Sequence, residues 1–211
     1  MSEQLFDLVV RSLWISGTAL LFSLLWSVPI SLTLGLRKFK GRQVLISIFN
    51  ALLGIPTVAL GLTLYLLFSR GGALGFLGVL YTPTAIVIGQ ALLITPIVVS
   101  LLTSAIESVN PGIRDLAKTL GASERQASLA VLGEARKGGI LAGVAAFNRA
   151  VAELGIALMV GGNIAGTTRV MTTEIARGVA TGEMLLSIQL TGVLLLVVFG
   201  LTFLTNLFRR D

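Results

Sequence analysis

Long runs without a charged side chain alternate with short polar segments along this chain. Five charge-free runs cover residues 12–36, 43–69, 71–106, 154–168 and 184–208. A helix needs about 20 apolar residues to cross the hydrocarbon core of a membrane, so every run except the fourth is long enough on its own. The fourth run is long enough only if it begins near residue 138, and it then contains the charged residues Arg149 and Glu153.

This pattern predicts an all-α fold, a polytopic bundle of about five transmembrane helices forming a single domain over residues 1–211. The predicted spans are residues 12–36, 44–69, 84–106, 138–161 and 184–208. Composition agrees, because 55% of the residues are hydrophobic and only 12% are charged, whereas a soluble domain carries roughly a quarter charged residues. Pro29, Pro56 and Pro96 lie inside apparent spans, where a missing amide donor kinks a helix unless neighbouring groups compensate.

The net charge of +6 is concentrated in alternate loops. One set of loops holds most of the basic residues: Arg37, Lys38, Lys40, Arg42, Arg114, Lys118, Arg125, Arg136, Lys137, Arg209 and Arg210. The opposite set holds only Arg11, Arg70, Arg169 and Arg177. By the positive-inside rule, this asymmetry predicts that the N-terminus lies outside and the C-terminus in the cytoplasm. Anchoring at the membrane explains the basic charge and argues against nucleic acid as a partner.

The residue types present exclude several kinds of chemistry. The chain has no cysteine and no histidine, so it lacks thiolate and imidazole metal ligands and histidine acid–base catalysis. No Gly-x-x-x-x-Gly-Lys-Ser/Thr motif occurs in it, and we therefore do not expect the chain to hydrolyse ATP. We expect no catalytic residue, no metal and no cofactor in this chain.

The segment over residues 107–137 carries the signals of two short helices. Asn110 is a good N-cap with Pro111 in the first helical position, and Gly121 is placed to end that helix in a left-handed conformation. Ser123 begins a second helix, and Gln126 three residues later completes a capping box. The pattern predicts a helix, a glycine turn and a helix on the cytoplasmic face. From the residues alone, this pair is either a rigid contact for a soluble partner or an amphipathic loop lying against lipid headgroups.

Arg149 and Glu153 lie four residues apart, which places them on one face of a helix. At the centre of a membrane helix each charge costs about 2.5–3.5 kcal/mol, so both should face the bundle or a wet path rather than lipid. Two interpretations stay open. The pair is either functional or only locks the packing of helices or subunits.

A polar segment follows the fourth span, which ends at Gly161, Gly162 and Asn163. Its side chains include Thr167, Thr168, Arg169, Thr172 and Thr173. Hydroxyls, amides and one guanidinium are moderate donors to an oxyanion, whereas a strongly basic pocket would hold the anion too tightly for release. The alternative is an ordinary polar external loop.

The segment over residues 107–137 resembles the coupling signature of ABC importer permeases. The family's Glu-Ala-Ala…Gly pattern corresponds here to Asp115, Leu116, Ala117, Gly121 and Ala122, with Asp in place of Glu. In that family this segment is the coupling helix, which docks in a cleft of the ATP-binding subunit. The Leu-Pro that ends the family signature is replaced by Gly133-Glu134 in this chain.

The C-terminal half resembles permeases for tungstate and molybdate and, more distantly, for sulfate. The resemblance rests on Arg149, Ala-Glu-Leu-Gly at 152–155, Met-Val-Gly-Gly-Asn-Ile at 159–164 and Thr-Arg-Val-Met-Thr-Thr at 168–173. The last run, the arginine-containing span and the Asp-Leu-Ala form favour the tungstate branch. The resemblance implies the type I ABC importer permease fold. It also implies pathway or gate roles for Arg149, Glu153, Asn163, Arg169, Thr172 and Thr173.

The resemblance further implies that the chain forms the pathway of an ATP-driven importer for tungstate or molybdate in the cytoplasmic (inner) membrane of a prokaryote. The implied partners are a second copy of the chain, two ATP-binding cassette subunits that carry ATP and magnesium, an external substrate-binding protein and membrane lipid. One alternative is a secondary anion transporter or channel, but such folds often show repeated halves or broken helices that the sequence does not show. Another is an intramembrane enzyme, for which Glu153 would be the lone carboxylate.

Overall fold

The computed structural model describes residues 2–210 and, within them, the side chains of residues 3–207. Regular structure in the described residues is helical. The α-helices are α1 Ser2–Leu36, α2 Arg42–Leu52, α3 Thr57–Phe68, α4 Pro83–Glu107, α5 Pro111–Thr119, α6 Glu124–Glu134, α7 Arg136–Val151, α8 Gly155–Gly161, α9 Met171–Thr181 and α10 Met184–Arg210. A 3-10 turn, Gly75–Leu77, lies between α3 and α4. The predicted basic anchor at Arg209 and Arg210 lies outside the described side chains.

Three of the described helices, α1, α4 and α10, are long and apolar enough to cross a membrane, and the number rises to five if each of two bent pairs counts as one span. The bent pairs are α2 with α3, at an angle of 100°, and α7 with α8, at 57°. The sequence predicted one span over 44–69, with Pro56 as a candidate kink, and another over 138–161, and in the structure each of these segments is a bent pair of helices. Both segments are broken within their length.

The break between α2 and α3 has a local cause. Pro56 is the N-cap of α3 in an extended conformation, with φ −66° and ψ 120°, and a proline offers no amide to continue a helix from the preceding turn. The break between α7 and α8 contains no proline. There, the Thr172 hydroxyl donates to the Glu153 carbonyl oxygen at 2.8 Å, and the Ile156 N–H donates to Glu153 Oε1 at 3.1 Å. Tertiary and capping contacts therefore accompany the second break.

Helix α4 forms the centre of the bundle, with α1 and α7 packed against it. In its most apolar stretch 67% of the residues are buried, compared with 11% in α10. Helix α7 approaches α4 through Ala142, Ala146 and Ala150, which are four residues apart and all buried. Small residues at this spacing allow two membrane helices to pack closely.

Helix α1 is joined to α4 by polar contacts within the apolar bundle. Ser23 Oγ lies 3.2 Å from Thr95 Oγ1, Trp26 Nε1 donates to Thr95 Oγ1 at 2.8 Å, and Ser31 Oγ donates to the Val99 carbonyl oxygen at 3.4 Å. Hydroxyls used in this way join membrane helices that gain little from burying apolar surface in lipid.

The predicted helix, glycine turn and helix over residues 107–137 is confirmed as α5 and α6. The Asn110 side chain accepts from the Gly112 N–H, with Pro111 as the first helical residue. Gly121 follows α5 with φ 86°. Ser123 and Gln126 form the predicted capping box at the start of α6.

Candidate functional site

The two helix breaks meet in space, because α3 packs against α8. Gly61 of α3 lies against α8, where an added Cβ would come within 3.1 Å of Met159 and 3.2 Å of the Gly155 carbonyl oxygen. Where α3 and α8 begin, Thr57 Oγ1 and Glu153 Oε1 lie 3.0 and 3.2 Å from the point that a Gly155 Cβ would occupy. Glycine at position 155 therefore lets the Thr57 hydroxyl, the Val58 side chain and the Glu153 carboxylate approach closely between the two helices.

The predicted ion pair forms across the break between α7 and α8. Arg149 Nη1 lies 2.7 Å from Glu153 Oε2. Arg149 belongs to the last turn of α7, whereas Glu153 precedes α8, so the two residues do not share one continuous helix as the sequence suggested. The Glu153 side chain is 2% exposed and that of Arg149 is 38% exposed. The Arg149 side chain is therefore partly exposed, whereas the Glu153 carboxylate is buried.

Asn163 and Arg169 are brought together by the turn that follows α8. Gly162 and Asn163 adopt left-handed conformations, with φ 69° and 51°. Arg169 Nε donates to Asn163 Oδ1 at 3.2 Å, and Arg169 Nη2 donates to the Asn163 carbonyl oxygen at 3.3 Å. The buried Thr168 hydroxyl donates to the Gly161 carbonyl oxygen at 2.5 Å. These contacts fix the position of the Arg169 guanidinium.

Thr172 and Thr173 lie in the first turn of α9, and both are buried. Thr172 is tied to the Arg149–Glu153 pair through its hydrogen bond to the Glu153 carbonyl oxygen. The Thr173 hydroxyl accepts from the Val170 N–H and donates to the Val170 carbonyl oxygen, both at 3.0 Å. Of the two threonines, Thr172 therefore contacts the charged pair, and Thr173 caps its own helix.

A second buried carboxylate, Glu174, was missed by the sequence analysis. Its side chain is 1% exposed and accepts from Arg177 Nη2 at 2.6 Å and from Arg177 Nε at 2.9 Å. Arg169 Nε lies 3.4 Å from Glu174 Oε2, and Arg177 also reaches the exposed Glu183 at 2.6 Å. Arg11 Nη1 donates to the Arg169 carbonyl oxygen at 3.0 Å. The three-residue spacing of Glu174 and Arg177 was the signal that could have revealed this cluster.

The residues of the predicted coupling segment form a separate surface on α5 and the turn after it. Asp115 is exposed, and the Leu116 residue is 59% exposed. The Ala122 N–H donates to the Ala117 carbonyl oxygen at 3.0 Å, which closes the turn after α5. Leu120, which is 79% exposed, was not among the predicted residues although it offers more apolar surface than Leu116.

An ion network joins α5 to α6. Glu124 of α6 pairs with Lys118 and, at 2.9 Å, with Arg114 of α5. Hydrogen bonds from Lys118 and then Arg114 hold the pKa of the Glu124 carboxyl below its ordinary value of 4.5. The network therefore favours the observed angle between the two helices while Glu124 is ionised.

A sequence profile described as the inner membrane component of binding-protein-dependent transport systems matches residues 27–211. The chain belongs to this family. Membership makes it a multi-pass membrane permease subunit of an ABC importer, as the sequence predicted, with ATP hydrolysis on a partner chain and an external binding protein as a further partner.

Similar permeases match most of the chain. It is 37% identical to a probable anion ABC transporter permease of Haloferax volcanii, over 97% of this chain and 90% of that protein. It is 34% identical to the tungstate uptake permease TupB of Peptoclostridium acidaminophilum, over 94% of this chain and 87% of that one. It is 39% identical to TupB of Campylobacter jejuni, over 82% of this chain and 72% of that one.

Solved transporters share the fold of this permease. An inward-facing MetNI methionine ABC transporter matches with a TM-score of 0.76 at 17% identity, covering 100% of this chain and 96% of the other. An amino acid ABC transporter matches with a TM-score of 0.68 at 18% identity, covering 99% and 94%. The predicted type I permease fold is thereby confirmed.

Proposed function

We propose that this permease imports tungstate or molybdate across the cytoplasmic membrane of a prokaryote. The observation that carries the proposal is the arrangement of the Arg149–Glu153 pair, in which the arginine side chain is partly exposed and the carboxylate is buried. A passing oxyanion would meet a guanidinium, which is the side chain best suited to an oxyanion. Two relatives that match most of the chain are named as tungstate permeases, and this similarity supports the same class of cargo.

The pathway or gate residues in this proposal fall into two linked groups. Arg149, Glu153 and Thr172 form the first, and Asn163 and Arg169 form the second. Thr173 supports the first group by capping α9, on which Thr172 also lies. The moderate number of donors suits an anion that must be released as well as bound.

The partner arrangement in this proposal is two copies of the permease, two ATP-binding subunits and one external substrate-binding protein. The ATP-binding subunits carry ATP and magnesium and contact the coupling residues Asp115, Leu116, Ala117, Gly121 and Ala122. Exposure of Leu116 and the rigid turn at Gly121 support this docking surface. Closure of the ATPase pair would move α5 and α6 and so turn the pathway outward.

The proposed placement in the membrane has five spans, with each bent pair counted as one, and one domain over the whole chain. The N-terminus is outside and the C-terminus is cytoplasmic. Exposed basic residues in the turn between α1 and α2, Arg37, Lys38 and Lys40, support the cytoplasmic position of that turn.

The deciding experiment is ATP hydrolysis by the reconstituted importer with its binding protein loaded in turn with tungstate, molybdate or sulfate. We expect stimulation only by a loaded binding protein, strongest with tungstate or molybdate. The proposal would be refuted if ATP hydrolysis were stimulated equally with and without a bound anion, or if the permease did not associate with an ATPase.

A further inference from the structure

Arg149 occupies an unusual position for a partly exposed charge. The adjacent Ala150 carbonyl accepts a hydrogen bond from Gln90 Nε2 at 2.9 Å. This contact fixes the position of the last turn of α7 along the axis of α4. Gln90 lies seven residues from the start of α4, about 10 Å along a helix axis. Exposure of a guanidinium to lipid at such depth is strongly unfavourable, so this one is best placed against a wet path.

The Glu153 carboxylate does not depend on Arg149 alone. Its Oε2 accepts from Arg149 Nη1 at 2.7 Å, while its Oε1 accepts from the Ile156 N–H at 3.1 Å. Arg149 can therefore turn towards another anion while Glu153 keeps one hydrogen bond. A guanidinium has five N–H donors, and the contact with Glu153 uses only one of them.

Thr57 adds a hydroxyl beside the same carboxylate. It is the first residue of α3, and its Oγ1 and Glu153 Oε1 both lie close to Gly155. The hydroxyl belongs to one broken span and the charged pair to the other. The junction thus combines a guanidinium, a neutral donor and a buried counter-charge.

We propose that this junction is a transient oxyanion site, in which Arg149 exchanges the Glu153 carboxylate for the cargo and Thr57 donates a hydrogen bond to it. The inference rests on the proposed import of oxyanions. An arginine without a counter-charge would hold a tetrahedral dianion strongly at this depth and slow its release. Glu153 competes for the same guanidinium, so the carboxylate returns as the anion leaves.

The test compares variants of the complete importer, reconstituted with its ATPase and binding protein and supplied with radiolabelled tungstate. Glu153→Gln keeps an acceptor for the Ile156 N–H but removes the competing charge. Because a hydrogen bond to a charged group contributes about 1.5–3 kcal/mol, we expect tungstate retained by the washed membrane complex to rise roughly tenfold or more. Uptake should fall by a similar factor. Arg149→Gln should lower both uptake and retention.

A second variant tests the contribution of the Thr57 hydroxyl to anion binding. Added to Glu153→Gln, the change Thr57→Val should lower the retained tungstate roughly tenfold, because the neutral donor is lost. Thr63→Val is the matched control on α3, since the Thr63 hydroxyl is exposed and donates to the Ala59 carbonyl oxygen of its own helix. It should change neither uptake nor retention.

Several outcomes would overturn the inference while leaving the proposed function intact. If Glu153→Gln loses uptake without retaining tungstate, Glu153 has only a structural role. If the Glu153→Gln complex does not assemble, Thr57→Val alone decides, because normal uptake by that variant would remove Thr57 from the site. If the unaltered importer assembles but carries no oxyanion, the proposed function itself fails.

Discussion

Two buried carboxylates, Glu153 and Glu174, are each held by guanidiniums that remain partly exposed. An arginine side chain is long enough to bury its stem and keep its charged end at an open surface, whereas a carboxylate on a shorter stem is buried with its charge. The buried acid then depends on its hydrogen bonds to stay ionised. Loss of the guanidinium should therefore destabilise the fold more than loss of an exposed carboxylate that pairs with the same arginine.

The cluster around Arg177 allows this asymmetry to be measured. Arg177→Met leaves Glu174 with the longer 3.4 Å contact to Arg169, and removal of one partner of a buried pair costs about 3 kcal/mol or more. Glu183→Gln is the matched control, because it breaks only the exposed pair on the same arginine. We expect a large drop in the midpoint of thermal unfolding for the first variant and a much smaller one for the second. Equal shifts would contradict the burial argument.

Spacing along the chain revealed one of these charged clusters and not the other. Arg149 and Glu153 stood out because they interrupt an apolar run at a four-residue interval. Glu174 and Arg177 have an equally regular interval, but they follow a threonine-rich segment whose pattern is also typical of an external loop. Only the folded chain shows that α9 buries Glu174.

At the scale of helices, local signals predicted the ends of α5 and α6 and marked Pro56 in the second span as a kink, but they did not predict the break in the fourth span. Caps such as Asn110 and Ser123 act on neighbouring residues, so the sequence contains the whole interaction. Prolines were a poor guide, because Pro29 and Pro96 lie inside continuous helices and Pro56 marks a break. The break at Glu153 coincides with a contact to Thr172, nineteen residues further on, which local pattern does not reveal.

The turn between α5 and α6 predicts a specific uncoupling variant. Gly121 has φ 86°, and a residue with a Cβ pays about 1–2 kcal/mol in the left-handed region. Gly121→Val should therefore distort the turn and raise the number of ATP molecules hydrolysed per anion imported. Gly133→Val is the control, because Gly133 lies in α6 with open space around its Cβ position. Normal coupling in Gly121→Val would show that the docking geometry is wrong.

The α5–α6 ion network should depend on pH. Because the folded pKa of Glu124 is lowered by Lys118 and Arg114, its contribution is complete above the ordinary pKa and is lost as pH falls through the folded value. We expect Glu124→Gln to weaken amide-exchange protection over residues 111–134 at neutral pH. With exchange times corrected for pH, this difference should shrink as pH falls below the ordinary pKa of the carboxyl and vanish once Glu124 is protonated in the folded chain. A difference that persists in acid would exclude the charge as its cause.

At the scale of the whole molecule, the bundle buries its centre and leaves wide apolar faces outside. Helix α4 is largely enclosed, whereas α10 exposes Leu196, Phe199 and Phe203, and α1 exposes Phe22 and Leu25. Exposed apolar faces of this size require lipid or another chain to cover them. Length and hydropathy therefore predicted the membrane location, but the division of these faces between lipid and another chain depends on assembly.

The orientation of the bundle can be tested directly, because the chain contains no cysteine. Lys40→Cys places a thiol in the basic turn between α1 and α2, and Phe76→Cys places one between α3 and α4, where Phe76 is 82% exposed. Since basic loops stay in the cytoplasm, a membrane-impermeant maleimide added to intact cells should label Phe76→Cys and leave Lys40→Cys unlabelled until the membrane is opened. Labelling of both variants in intact cells would mean that α2 and α3 together do not cross the membrane. The reverse pattern would place α5 and α6 outside, where a cytoplasmic ATPase could not contact them, and would refute both the orientation and the coupling surface.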